Sequence, residues 1–217
     1  MMRMSELKVC EIFLSIQGEG TAAGLPCTLV RLAGCNLRCS WCDTSYAWTE
    51  GQPMTVDDVI ARVEQLRCRR VEVTGGEPLL QQATPELLAA LCDRGFVTLL
   101  ETNGSLDISA VDRRVVKIVD FKCPSSGQQD MNCWSNVLAL AGRDEVKFVL
   151  ADRGDYDYAT EKLTSYDLPG RCQVIFSPVF GRLAPAELAR WILADGLDLR
   201  LGLQLHKIIW PDRDRGV

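Results

Sequence analysis

The chain has 217 residues, 47% of them hydrophobic and 24% charged, with a formal net charge of −5. These proportions exclude disorder, collagen and coiled coil, and the acidic balance excludes the basic field that draws proteins onto nucleic acid or anionic lipid. No apolar run reaches the ~18 residues of a membrane span, and the opening MMRMSELKVCEIFL lacks a signal peptide's long apolar stretch and small-residue cleavage site; a cytoplasmic protein with no membrane or nucleic-acid partner is expected.

In chain order, short β-rich apolar runs alternate with amphipathic stretches of helical period. The first barrel strand is expected at 27–33, followed by a loop at 34–48 that carries Cys35, Cys39 and Cys42. Thr55 precedes a helix through VDDVIARVEQL with Asp57 and Asp58 in its first turn, and a strand follows at 70–74. Thr84 caps a second helix, opened by Pro85 and ended by Gly95, before strands at 96–101 and 115–120. The stretch 124–142 reads as partly loop, 145–150 as strand, 152–166 as helix and 172–177 as strand. A helix beginning just after Pro185 stops at Gly196, and a last strand is expected at 199–205.

No repeat, low-complexity tract or linker interrupts this alternation, so residues 1–217 read as one domain. The expected fold class is α/β. Six or seven strands are too few for an eight-stranded barrel of ~250 residues, which points to an open, partial TIM-like barrel of about six parallel strands with helices outside. Polar segments follow the strands: Arg31 and the cysteines, TGGEP, TNG, KCPSSG, SPVFG and His206. They should meet at the C-terminal face of the sheet.

Ten cysteines stand against one histidine. A chain with this much core needs no disulfide staples, so thiols or metal ligands are expected. Cys10, Cys27, Cys68, Cys92, Cys123, Cys133 and Cys172 are scattered singly and read as small buried hydrophobes. Cys35, Cys39 and Cys42 form a CxxxCxxC cluster able to converge on a soft metal centre. A structural zinc needs four closed positions, and no second CxxC pair or nearby histidine supplies the fourth. An iron–sulfur cubane held by three cysteines would leave one iron open to a small molecule. A zinc-binding interaction module is the competing reading from a different class.

GCNLRCSWCDT, with an aromatic directly before the last cysteine, resembles the signature of the radical S-adenosylmethionine (SAM) enzymes, and Thr74-Gly75-Gly76-Glu77-Pro78 resembles their GGEP motif. SIQGEG at 15–20, Pro26, Arg31, Asp43-Thr44, ETNG at 101–104 and LQLHK at 203–207 narrow the resemblance to the 7-carboxy-7-deazaguanine synthases, over about residues 9 to 210. The resemblance implies a 4Fe-4S cluster on Cys35, Cys39 and Cys42, whose open iron binds SAM, and cleavage of SAM to a 5′-deoxyadenosyl radical. No catalytic side chain is then needed beyond the cofactor. It further implies a small-molecule pterin substrate, 6-carboxy-5,6,7,8-tetrahydropterin. Hydrogen is abstracted from its C6, the pyrazine ring contracts and ammonia leaves, with SAM regenerated. This is a carbon–nitrogen lyase of queuosine and 7-deazapurine biosynthesis.

By the same resemblance, SAM contacts fall on Trp41 against the adenine, Gly76, Glu77 as acceptor for the SAM ammonium, Lys122, Pro124, Ser125, Ser177, Pro178, Val179 and Phe180. Glu101 and Asn103 are further candidates for ribose contacts. Substrate contacts fall on Ile16, Gln17, Gly18 and Glu19, which suit an amide–amidine edge, and on Thr74 and His206. The planar fork of Arg31 suits a bidentate grip on the substrate carboxylate; the other reading is a surface arginine. Thr44 is implied as the Mg2+ position, the cation binding together with substrate oxygens. A homodimer and a flavodoxin or ferredoxin electron donor are implied as partners, and the sequence assigns no role to the tail at 211–217. A glycyl-radical-enzyme activating protein would share CxxxCxxC and GGEP; SIQGEG and CDT weigh against it.

Replacing Cys35, Cys39 or Cys42 by Ala should abolish turnover and the cluster's visible absorbance, whereas Cys68→Ala and Cys92→Ala should leave both nearly intact. Equal losses at all five positions would contradict the division of the cysteines.

Overall fold

RVEVTG, VKIVDF and EVKFVL are buried almost from end to end, yet each alternates apolar with charged or hydroxyl side chains. A pleated strand sends these two sets to opposite faces. The computed structural model, which describes residues 5–217, covers both faces. Val71, Val73, Leu100, Val119, Phe121, Val146, Phe148, Val174 and Phe176 enter one hydrophobic core. Glu72, Thr74, Glu101, Asp120, Lys122 and Lys147 turn the other way and line a central pocket.

The strands are β1 (Glu6–Ile16), β2 (Pro26–Leu32), β3 (Gln52–Thr55), β4 (Arg70–Gly75), β5 (Val97–Thr102), β6 (Val116–Phe121), β7 (Glu145–Leu150), β8 (Gln173–Pro178) and β9 (Arg200–Leu201). They form one sheet in the order β3-β1-β2-β4-β5-β6-β7-β8-β9. Pairing is parallel from β2 onward, and β1 runs antiparallel to both β2 and β3. The outer strands β3 and β9 do not pair, so the sheet stays open, as the strand count suggested. Five helices accompany it: α1 (Val56–Gln65), α2 (Thr84–Asp93), α3 (Arg153–Ser165), α4 (Pro185–Ala194) and α5 (Leu205–Ile209). Val56, Val59, Ile60 and Val63 of α1, Leu87, Leu88 and Leu91 of α2, and Leu188 and Ile192 of α4 recur at helical spacing and pack on the sheet's outer face. No helix among the described residues is long and apolar enough to cross a membrane.

Local signals explain the helix starts. Thr55 accepts from the Asp58 amide at 3.1 Å while Asp58 Oδ2 accepts from the Thr55 amide at 3.3 Å, a complete capping box. Asp152 caps α3 by accepting from Asp155 N at 3.0 Å. Thr84 behaves differently from its expected cap role: Ala83 is the N-cap, and the Thr84 hydroxyl donates to Pro78 O at 2.6 Å, tying α2 to the turn after β4.

The strands β1 and β3 were not expected. In β1 the alternation that starts with buried Leu7 and Val9 breaks at a register shift between Val9 and Glu11, so the period-two signal never lasts long enough to be read. The strand expected at 199–205 shrinks to two residues. There Gly202 donates its amide to Phe176 O at 2.8 Å and packs over Ser177, where a Cβ would overlap the hydroxyl, and the chain then turns into α5. Three short 3-10 turns replace a barrel helix over 124–142, as the partly loop reading implied, and Trp134 stacks between Phe121 at 4.4 Å and Tyr166 at 4.6 Å.

Candidate active site

After β2 the chain leaves the sheet in the cysteine loop, which neighbouring strand ends hold in place. Gly34 N donates to Ala47 O at 2.8 Å and Glu77 N to Gly34 O at 2.8 Å; Ser40 reaches Ser126 O from its amide at 3.1 Å and Ser125 O from its hydroxyl at 2.8 Å. A Cβ on Gly76 would overlap the Gly34 carbonyl oxygen and come within 2.8 Å of the Cys35 Cβ. The second glycine of TGGEP is thus required by the packing of the cysteine loop on β4, a reason beyond ligand approach.

Cys35, Cys39 and Cys42 line one pocket of about 500 Å³ at the C-terminal ends of the parallel strands. Burial pushes the Cys39 thiol up to about 11 and raises Cys35 as well, so a cationic centre is needed to hold them as thiolates. No three His, Cys, Asp or Glu side chains among the described residues, the three cysteines included, are closed on one point. Three soft donors on one wall of an open pocket fit a cluster that keeps one iron for a ligand.

The pocket also gathers Ile16, Gln17, Gly18, Glu19, Arg31, Trp41, Thr44, Thr74, Gly76, Lys122, Val179, Phe180 and His206. Glu77, Pro124, Ser125, Ser177 and Pro178 do not line it. Glu77 is fully buried, and its carboxylate accepts from Asn103 N at 2.7 Å, Leu79 N at 2.9 Å and Thr102 Oγ1 at 2.9 Å. It clamps the ends of β4 and β5 together behind the wall, which leaves it no free face for a SAM ammonium. Ser125 is tied by its amide to Asp155 Oδ1 at 2.9 Å and accepts the Trp41 indole N–H at 3.2 Å. It therefore orients Trp41, whose ring lies 5.6 Å from the Lys122 ammonium, and stays behind the pocket itself.

The lumen holds charges that sequence reading passed over. Lys147 on β7 pairs with Glu19 at 2.8 Å, with Glu101 on β5, and with Asp120 on β6 at 3.6 Å. Lys122 pairs with Asp120 at 2.9 Å. Burial disfavours the charges of Glu101 and Lys147, yet Lys147 holds Glu101 below the usual carboxylate range, and Glu101, Glu19 and Asp120 hold Lys147 well above the usual lysine value. Glu72 forms no ion pair among the described residues: burial and the neighbouring Glu101 push it well above the carboxylate range, and it accepts from the Gln17 amide. The signal for Glu72, Asp120 and Lys147 was present in the strand runs, as charged residues at alternate positions between valines and phenylalanines.

α5 brings His206 over the SIQGEG loop. Leu205 N donates to Gly18 O at 3.0 Å, and a Cβ on Gly18 would overlap the His206 ring. Burial lowers the His206 pKa, favouring the neutral imidazole. Lys207 bridges to Asp43 at 3.2 Å beside Thr44, and Gln204 joins Asp43 at 3.2 Å to Glu19 at 3.0 Å. The tail, to which the sequence assigns no role, meets the site: Pro211, Arg213, Asp214 and Val217 line the pocket, as does Trp210 just before them.

The radical SAM superfamily profile matches residues 29–121. A protein of Chlorobaculum tepidum named 7-carboxy-7-deazaguanine synthase is 51% identical over 97% of each chain. One of the same name from Koribacter versatilis is 42% identical over 97% of this chain and 100% of its own. The crystal structure of QueE from Escherichia coli superposes with a TM-score of 0.75 at 24% identity, over 92% of this chain and 94% of that one.

Two measurements test this geometry. Glu77→Ala leaves the buried Asn103 amide, the part-buried Leu79 amide and the Thr102 hydroxyl without their acceptor and should cost about 3 kcal/mol, lowering the melting temperature by roughly 10 °C. Glu72→Gln tests the buried proton. The folded protein keeps a proton on Glu72 that the unfolded chain releases above about 4.5. Wild-type stability is therefore undiminished by this group below that pH and falls as pH rises toward the folded value, by up to ~1.4 kcal/mol per pH unit. Melting curves of Glu72→Gln should lack that decline; parallel pH profiles for the two proteins would refute the assignment.

Proposed function

The chain belongs to the 7-carboxy-7-deazaguanine synthase family of radical SAM enzymes, and on that premise we propose how its pocket divides the work of this carbon–nitrogen lyase. The reaction converts 6-carboxy-5,6,7,8-tetrahydropterin to 7-carboxy-7-deazaguanine with loss of ammonia. The observation that carries the reading is the meeting of Cys35, Cys39 and Cys42 with the SIQGEG loop, Arg31, Thr44 and His206 in one cavity. All but His206 lie between residues 15 and 44, on β1, β2 and the loops that follow them, and α5 brings His206 to them from the other end of the chain.

Cys35, Cys39 and Cys42 would hold a 4Fe-4S cluster, which together with SAM would supply the radical chemistry for hydrogen abstraction from the substrate's C6. The chain's own residues bind and orient. Trp41, braced by Ser125, offers an apolar face to the adenine, and Val179 and Phe180 continue that wall. Gln17 and the backbone around Gly18 read the pterin's amide–amidine edge, with Glu19 held in place by Lys147 and Gln204. Arg31 takes the substrate carboxylate. Thr44 contributes its hydroxyl to a Mg2+ ion that binds with the substrate, since one protein oxygen leaves most of the octahedron to water and substrate. His206, neutral at physiological pH, serves as a hydrogen-bond partner to the substrate and moves no proton. The paired lumenal charges are oriented before substrate arrives, so they need little reorganisation during the reaction.

The family resemblance supports a single domain over 1–217, a homodimer, a cytoplasmic setting, and flavodoxin or ferredoxin as electron donor. A glycyl-radical-enzyme activating protein and a zinc-binding module both fit less well, since relatives matching nearly the full length carry the synthase name.

Anaerobic reconstitution with iron and sulfide, followed by carboxytetrahydropterin, SAM, magnesium and a reductant, should yield 7-carboxy-7-deazaguanine with SAM recovered. No product from a protein with intact cluster absorbance would reject the substrate. Net SAM consumption with a radical on a partner protein would favour the activating-protein reading, and a colourless preparation with stoichiometric zinc would sink both enzymes. Thr44→Ala should weaken the magnesium dependence of turnover without bleaching the cluster.

A further inference from the structure

Arg31 on β2 and Glu11 on β1 stand directly opposite each other in the antiparallel pair, just beyond the register shift between Val9 and Glu11. Directly opposed residues share a face, and a bulge re-aims the side chains that follow it. Glu11 Oε1 accepts from Arg31 Nε at 2.7 Å and from the Tyr46 hydroxyl at 2.8 Å. The Arg31 side chain is only 11% exposed, with the Phe13 ring 5.9 Å from its guanidinium. Its terminal NH2 groups donate to no protein atom among the described residues, and the side chain lines the pocket. Tyr46 is itself fixed: the Arg215 guanidinium lies 4.1 Å from its ring, and Arg215 forks onto Glu50 at 2.7 and 2.8 Å.

We propose that Glu11, with the Tyr46 hydroxyl, is a positioning residue that holds Arg31 by Nε so that its two-nitrogen edge is presented to the substrate carboxylate. A free arginine would lose the freedom of a long, rotatable stem on binding; one already tethered at Nε has lost it beforehand. The tether uses the N–H that an end-on carboxylate does not need and leaves the parallel pair that it does. Tyr46 lies two residues after Thr44, so the same carboxylate also joins the Arg31 strand to the loop at which magnesium is proposed to bind. The inference rests on the reading of Arg31 as the substrate's carboxylate contact.

Steady-state kinetics of the reconstituted enzyme separate the possibilities. Glu11→Ala should raise KM for the carboxylated pterin by about tenfold, the effect of one charge-assisted hydrogen bond, while kcat stays within about twofold. Glu11→Gln, which can still accept from Nε, should recover most of that loss, and Tyr46→Phe should raise KM by a smaller factor. A KM unchanged in Glu11→Ala, or a loss confined to kcat, overturns the proposal. Should Glu11→Ala fail to fold, Glu11→Leu, which fills the same space without an acceptor for Nε, decides it, since a wild-type KM there would refute the tether. Arg31→Ala distinguishes the premise: if it binds the carboxylated pterin as wild type does, the reading of Arg31 itself fails, whereas a large KM rise there with none in the Glu11 and Tyr46 variants overturns the positioning role alone.

Discussion

Lys147 is buried, and the lumen of the sheet is organised around its charge. An ammonium removed from water is tolerated only when oppositely charged groups surround it, and here they come from three separate places: Glu19 from the loop after β1, Glu101 from the end of β5 and Asp120 from β6. Satisfying one charge therefore locates three segments relative to β7. Glu145, two residues earlier on the same face of β7, accepts from the Thr21 amide and holds the far side of the SIQGEG loop. The interior of an open sheet, which would otherwise be a water-filled trough, thus becomes a rigid polar floor beneath the pocket.

The cysteine loop depends on a second constraint, the close approach of backbones at the end of β4. Gly76 lies against the Gly34 carbonyl, Glu77 returns its amide to that same oxygen, and the Glu77 side chain fastens the following residues to the end of β5. One short motif therefore aligns the loop with the cysteines and the neighbouring strand with Asn103. Asn103 in turn approaches the Cys35 sulfur at 3.8 Å and hydrogen-bonds Asn36 at 3.1 Å. The wall that carries the cysteine loop and the charged floor meet at the strand ends, where Asp120 pairs with both Lys122 and Lys147.

The parallel strands were legible because fully buried strands leave long β-branched and aromatic runs, and helices α1, α2 and α4 because their opening residues and prolines are local. β1 was not legible: its bulge breaks the alternation, and its pairing with β3 is a long-range event with no local trace. In the site, the cysteines, Arg31, Thr44 and His206 stood out by motif and spacing, and the pocket contains them all. Glu77 and Ser125 shared the motif's prominence but are held behind the wall, because what separates a ligand contact from a brace is the direction of a side chain. Lys147 and Glu72 had no motif, only an unusual position within apolar strands.

The sequence by itself determined the chemistry this protein can support: three clustered cysteines without a fourth ligand, the glycines that let a loop pack tightly, and a family resemblance that spans nearly the whole chain. These are properties of residue type and spacing, which survive without coordinates. Tertiary structure alone decided which carboxylates face the lumen, which cation neutralises them, and that Arg31 and Tyr46 meet at Glu11. Such contacts join residues far apart in sequence, and their energies depend on burial and distance, neither of which is written in the order of the residues.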